Sequence, residues 1–209
     1  IMALRNLKQI YPNIIYISVG YGEEEENIRK LVNELGLENH VIFQKNISQE
    51  LKNALISKSD LFVMPSIIHK NSVEGFGIAY VEAAQYGVPS IGGKDGGAVD
   101  AIKDKETGII CDGNNLDDIY SSIETLLKNN LSKEMGNKAK EFVKKFELDY
   151  AKYNDSKYCV MVNSGSSANH LAISALFYRK SGLKLRRGDE VIVPAVSWST
   201  TYAPLIQFG

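Results

Sequence analysis

Apolar residues along the chain fall into two alternating spacings. Ile1, Leu4, Leu7 and Ile10 stand three apart, which predicts that the chain opens inside a helix and that a longer protein precedes it. Tyr11-Pro12-Asn13 breaks that helix. The run IIYISVG, ending at Gly20, is apolar at odd and even positions alike, as in a strand buried on both faces of a parallel sheet. A helix carrying Ile28, Leu31, Val32 and Leu35 follows and stops at Gly36. Next come a strand from His40 to Gln44, a helix capped by Ser48 that runs through Ile56, and a second buried strand from Asp60 to Ser66. A helix starting near Gly77 or Ile78 carries Ile78, Val81, Ala83 and Ala84 and is stopped by Gly87-Val88-Pro89. A short strand, the Gly96-Gly97 turn, a short helix from Ala98 and a strand from Gly108 to Cys111 complete the alternation. An Asn114 or Asn115 cap opens a helix with Ile119, Ile123, Leu126 and Leu127, and a further helix carries Ala139, Phe142, Val143 and Phe146. Strands and helices alternating at this pitch predict an α/β fold built on a parallel, doubly wound sheet.

From about Phe146 the pattern changes. A strand from Tyr158 to Val162, a Ser/Gly/Asn turn from Asn163 to Asn169, a helix with Leu171, Ile173, Ala175 and Leu176, and a strand from Glu190 to Pro194 are expected. Lys144 to Tyr153 contains neither Gly nor Pro, so the helix before the seam is expected to run on. The expected division is residues 1–146 and 147–209. The second part is short enough for its core to be marginal, with the edges of its strands unpaired unless they dock.

Composition narrows the partners. The chain has 209 residues, is 44% hydrophobic and carries a formal net charge of −1. That balance gives no electrostatic basis for nucleic acid or an acidic membrane as a bulk partner. No apolar run approaches the ~20 residues of a membrane span, and the N-terminus lacks a signal-peptide layout. Cys111 and Cys159 sit in separate apolar runs, so buried reduced thiols and a cytoplasmic setting are expected, with peripheral attachment to a membrane surface left open. The acidic run Glu23 to Glu26 complements a helix dipole, and no metal-ligand spacing stands out. His40, His69 and Lys70 read as surface or loop residues.

The stretch EGFGIAYVEAAQYGVPSIGGKDGG, from Glu74 to Gly97, carries the chemistry. Gly75 and Gly77 flank Phe76, so the backbone can take positive φ and approach a ligand before a helix begins. The helix start presents N–H groups to an anion. Glu74 precedes the turn, and Glu82 is placed about two turns into the helix, facing the same cleft. Carboxylates so placed suit sugar and ribose hydroxyls.

This block resembles the donor-binding half of family four glycosyltransferases of the GT-B fold, a Rossmann-like domain. The resemblance runs from the first residue to about 145. It implies that Glu74 is the catalytic-site carboxylate on the transferred sugar's hydroxyls and that Glu82 holds the nucleotide's ribose. It also implies that Gly75, Phe76, Gly77 and Ile78 line the sugar and diphosphate, with Gly20 and Gly22 beside the nucleotide. The implied ligand is a nucleotide-diphosphate sugar bound without metal, in a hexosyltransferase of surface-polysaccharide biosynthesis. The resemblance also places the base near Gln44 to Ile47, where Gln44 replaces a glycine frequent in the family and leaves the base's identity open. The acceptor domain, and a first strand carrying an Arg/Lys pair for the diphosphate, lie outside these residues.

The turn NSGSSAN from Asn163, with GDEVIVP from Gly188 and SWSTTY from Ser197, resembles the start of DegT-type sugar aminotransferases that use pyridoxal phosphate. By that resemblance Ser166 and Ser167 face the cofactor's phosphate and Trp198 its ring, while the Schiff-base lysine lies beyond Gly209. Covalent pyridoxal phosphate is therefore not expected here. Two readings of the whole follow: a glycosyltransferase-derived, nucleotide-sugar-binding protein inactive on its own, or a noncatalytic fusion remnant or binding module. Self-association through the C-terminal segment is an open partner choice.

Overall fold

The computed structural model describes residues 1–69, 75, 77–128, 131–162 and 164–209. The chain divides into two compact units, Ile1–Asp149 and Tyr150–Gly209. In the first, strands and helices alternate as α1 Met2–Ile10, β1 Tyr16–Val19, α2 Glu25–Glu34, β2 Val41–Gln44, α3 Gln49–Lys58, β3 Phe62–Met64, α4 Ile78–Gln85, β4 Ser90–Gly93, α5 Ala98–Ala101, β5 Gly108–Cys111, α6 Leu116–Leu127 and α7 Leu131–Tyr153. All described strand pairs are parallel. β1 pairs β2 with Tyr16 opposite Val41, and β4 lies between β3 and β5 with Ser90 opposite Phe62 on one side and Gly108 on the other.

The sheet is therefore in two pieces, β1-β2 and β3-β4-β5. That division corrects one expectation. β4 is flanked on both sides and all four of its residues are buried, whereas β1 and β3 are only half-buried and Val19 is exposed. A continuous apolar run reports the capacity for burial, but a strand with a described partner on one side only realises part of it.

Side chains alternate between the two faces of the larger sheet with the strand period of two. Leu61, Val63, Ile91, Ile109 and Cys111 pack with Leu126 of α6, while Phe62, Met64 and Ile110 pack with Tyr80 of α4 and with Ala98 and Ile102 of the α5 segment. Helices thus cover both faces, as in a doubly wound fold. A third cluster joins Leu4 of α1, Val32, Leu37 and Val41 over the smaller sheet. Each fully buried side chain of this size, Leu126 for example, contributes about 1.5–3 kcal/mol. Burial also pushes the Cys111 thiol up to about 11, with the Asp118 and Asp112 carboxylates adding to the shift.

Local chemistry sets the helix starts. Ser48 Oγ accepts from the Leu51 N–H at 3.2 Å, and Asn115 Oδ1 accepts from Asp117 at 3.0 Å and Asp118 at 3.3 Å, each cap being worth roughly 1 kcal/mol. α7 runs unbroken to Tyr153, as the absence of Gly and Pro between Lys144 and Tyr153 predicts. Its one glycine is a packing residue: a Cβ on Gly136 would land on the carbonyl of Gly87 in the α4–β4 turn.

The second unit departs from expectation. Its helices form, α8 Gly165–Tyr178 and α9 Ser199–Phe208, and pack through Phe208 against Phe177 at 5.2 Å and His170 at 5.1 Å. Neither Tyr158–Val162 nor Glu190–Pro194 is a strand among the described residues. A β-prone segment becomes a strand only with a partner to complete its ladder, and Ile192 is 101% exposed. Cys159, expected within the first of these strands, is only half-buried.

Gly136→Ala would ordinarily stabilise a helix interior by about 1 kcal/mol. Here it is expected to cost on the order of 1–3 kcal/mol through overpacking against the Gly87 turn, read as a lower urea midpoint. A raised midpoint would contradict the packing.

Candidate functional site

The site is built where the larger sheet delivers its chain to α4. Glu74 and Phe76 lie outside the described residues, as do Lys70 and Asn163. Gly75 is exposed. Gly77 is buried and takes φ +74°, ψ 40°, a left-handed conformation that turns the chain into α4 with no side-chain cap. A Cβ at this position would also sit 2.5 Å from the Tyr80 ring. Glycine is thus demanded twice. The N-terminus of α4 consequently presents backbone N–H groups and the positive end of the helix dipole.

Tyr80, which sequence reasoning did not single out, fixes that start. It is 1% exposed, its hydroxyl donates to the Met64 carbonyl at 2.6 Å, and its ring meets Phe62 edge-on at 5.9 Å. The first turn of α4 is thereby held at the C-terminal end of β3, where open parallel sheets place ligands. The clue in the sequence was one large aromatic in a helix otherwise rich in alanine.

Glu82 is one turn into α4, not two, because the helix begins at Ile78. Its Oε1 accepts from Lys52 Nζ of α3 at 2.7 Å, with the Glu82 side chain 17% exposed. Ile78, the first residue of α4, is 39% exposed. α4 therefore brings Gly77, Ile78 and Glu82 together, with Gly75 just ahead of them. Gly20 and Gly22 belong to the other sheet: the Gly20 N–H extends the β1–β2 ladder to the Gln44 carbonyl at 3.0 Å, and both glycines are exposed just before α2.

Two charged pairs flank these strand ends. Lys94, just after β4, meets Asp112, just after β5, at 2.6 Å. That hydrogen bond pushes the lysine up from its ordinary value and holds the carboxyl below its own. In the acidic run at α2, Glu25 is engaged by Lys45 at 2.6 Å and Arg29 at 3.0 Å, which hold its carboxyl below the usual range.

The second unit carries the other expected residues. Ser164 Oγ accepts from the Ser167 N–H at 3.1 Å, so the serine turn caps α8. Ser166 is exposed and Ser167 half-buried in the first turn of α8, and Trp198 starts α9 with 85% exposure. Asn169 Nδ2 donates to the Thr200 carbonyl at 3.1 Å and brings the serine turn near the start of α9. Lys152, Lys157, Lys180 and Lys184 are all exposed. These residues do not fit covalent pyridoxal phosphate: Trp198, where the ring is expected, is open to solvent, and none of these four lysines is sheltered.

Comparison with known proteins accounts for both units. The family model described as glycosyl transferases group 1 matches residues 1–142, and that of the DegT/DnrJ/EryC1/StrS aminotransferase family matches residues 117–209. A GDP-mannose-dependent alpha-(1-6)-phosphatidylinositol monomannoside mannosyltransferase of Mycolicibacterium smegmatis is 35% identical over 129 residues, covering 61% of this chain and 34% of that protein. A GDP-4-keto-6-deoxy-D-mannose 3-dehydratase of Yersinia pseudotuberculosis is 65% identical over 69 residues, covering 33% of this chain and 17% of that protein. The chain thus spans about a third of the first relative and under a fifth of the second. The crystal structure of Anabaena Alr3699/HepE in complex with UDP-glucose superposes with TM-score 0.59 at 24% identity, covering 69% of this chain and 40% of that one. A GT-B glycosyltransferase architecture with parallel sheets follows, and no described helix is long and apolar enough to cross a membrane. By the match over residues 1–142 the chain belongs to the glycosyl transferases group 1 family, while residues 117–209, which overlap the end of that match, are similar to the DegT/DnrJ/EryC1/StrS aminotransferase family.

Proposed function

We propose that the first unit is the donor-binding half of a hexosyltransferase and takes a nucleotide-diphosphate sugar at the start of α4. The observation that carries this reading is the Gly77 turn, which puts the N-terminus of an eight-residue helix at the end of β3 with Glu82 held one turn away. In this reading the α4 amides with Gly75, Phe76, Gly77 and Ile78 meet the diphosphate and sugar, and Glu82 accepts from the ribose hydroxyls. Glu74 takes the hydroxyls of the transferred sugar. No metal is required, since helix dipole and cationic side chains offset the diphosphate charge.

The chain alone is proposed to be inactive in transfer, because this chemistry needs a second domain to position the acceptor and exclude water. The mannosyltransferase described above carries a GDP-mannose-dependent name, which supports a guanosine nucleotide as the first donor to test; a place in surface-polysaccharide biosynthesis is part of the same proposal. A cytoplasmic setting, peripheral to a membrane where the acceptor is a lipid, fits that role.

The rival reading is a noncatalytic fusion remnant or binding module. It draws support from the second unit, where the segments expected to be strands form none among the described residues and Leu183, Ile192, Val196 and Trp198 are more than four-fifths exposed. Such a surface favours pairing with a second copy of the chain.

Calorimetric titration with GDP-, UDP- and ADP-sugars is expected to show binding to at least one. Glu82→Ala should weaken it about tenfold or more, the size expected for hydrogen bonds to a charged acceptor. Millimolar donor with no heat, or equal affinity for wild type and variant, would remove the assignment. The same sample is expected to transfer no sugar to lipid or glycan acceptors. For the second unit, dialysis after adding pyridoxal phosphate should leave no visible band of a protein-bound aldimine. A persistent band lost on mutating Ser167 and Trp198 would show the opposite.

A further inference from the structure

The contact between Lys52 and Glu82 joins positions far apart in sequence and the two halves of the sheet. Lys52 belongs to α3, which follows β2, and Glu82 to α4, which leads into β4. Their 2.7 Å hydrogen bond is the best sheltered ion pair among those of the described residues, with side chains 29% and 17% exposed. We propose that Lys52 is a positioning residue of the nucleotide site, orienting the Glu82 carboxylate for the ribose diol. The inference rests on the reading of Glu82 as the ribose ligand.

A carboxylate has two oxygens and about four lone-pair sites, so one ammonium on Oε1 leaves room for two ribose hydroxyls. The ammonium anchors one oxygen to a helix other than the one that carries Glu82, which limits the rotamers the carboxylate explores before the ligand arrives. A lysine suits this role because a single point charge satisfies one oxygen and leaves the other free, where a bidentate guanidinium would take both.

A pair serving only to fasten α3 to α4 would have a different signature: its loss would lower stability and weaken every nucleotide alike. The two roles separate in a titration of the full chain with guanosine diphosphate and its 2′,3′-dideoxy analogue. Wild type, Lys52→Met, Lys52→Arg and Glu82→Ala are compared, and urea midpoints are recorded for each. Wild type is expected to prefer the ribonucleotide by about tenfold, the scale of a hydrogen bond to a charged group. Lys52→Met should bring that preference close to one, with less loss on the dideoxy compound, and Lys52→Arg should restore part of it. Retention of the wild-type preference in Lys52→Met, whatever its urea midpoint, would overturn the proposal while leaving the Glu82 reading intact if Glu82→Ala abolishes the preference. No nucleotide binding by wild type, or an unchanged preference in Glu82→Ala, would overturn both.

Discussion

The phenol of Tyr80 donates to the Met64 carbonyl at 2.6 Å from a ring that is 1% exposed, and the placement of α4 depends on that contact. A buried hydroxyl must find an acceptor, and the carbonyl at the end of β3 supplies one. The ring in turn fills the face of the sheet lined by Phe62, Met64 and Ile110. Because Tyr80 lies in the first turn of α4, fixing it fixes the helix N-terminus. The left-handed turn at Gly77 follows from the same packing, since a side chain there would collide with the ring. The amides and Glu82 are thereby aimed from a rigid start.

Much of the fold was legible because it is written in short-range patterns. The Ser48 and Asn115 caps, the glycine stops and the uninterrupted run through Lys144 to Tyr153 act within a few residues of one another, and each gives the element it predicts. What was illegible depends on distant partners. Nothing near Tyr80 announces Met64, and nothing near Glu82 announces Lys52, 30 positions earlier, or near Lys94 announces Asp112, 18 positions later. Burial of β1 and β3 was overread for the same reason: an apolar run does not say how many neighbours a strand has. The helix start near Gly77 or Ile78 was read correctly, but Glu82 was placed a turn too deep because its position was counted from Glu74.

The second unit shows the same rule at a larger scale. Local signals gave α8, which Ser164 caps, whereas α9 with its aromatic contacts was not anticipated. The segments around Val160 and Ile192 have strand composition, yet both side chains are strongly exposed. Strand formation is a collective property, and neither segment forms a strand among the described residues. The core-forming clusters all belong to the first unit, so ligand chemistry that needs a sheltered pocket is better supported there.

The central claim is that the start of α4 receives the diphosphate of a nucleotide, and backbone amide exchange of the full chain with and without guanosine or uridine diphosphate tests it most directly. The account predicts slowed exchange across residues 77–85 and around Gly20 to Gly22, with the turn at residues 165–168 unchanged. Unchanged exchange across residues 77–85 at saturating nucleotide would contradict it.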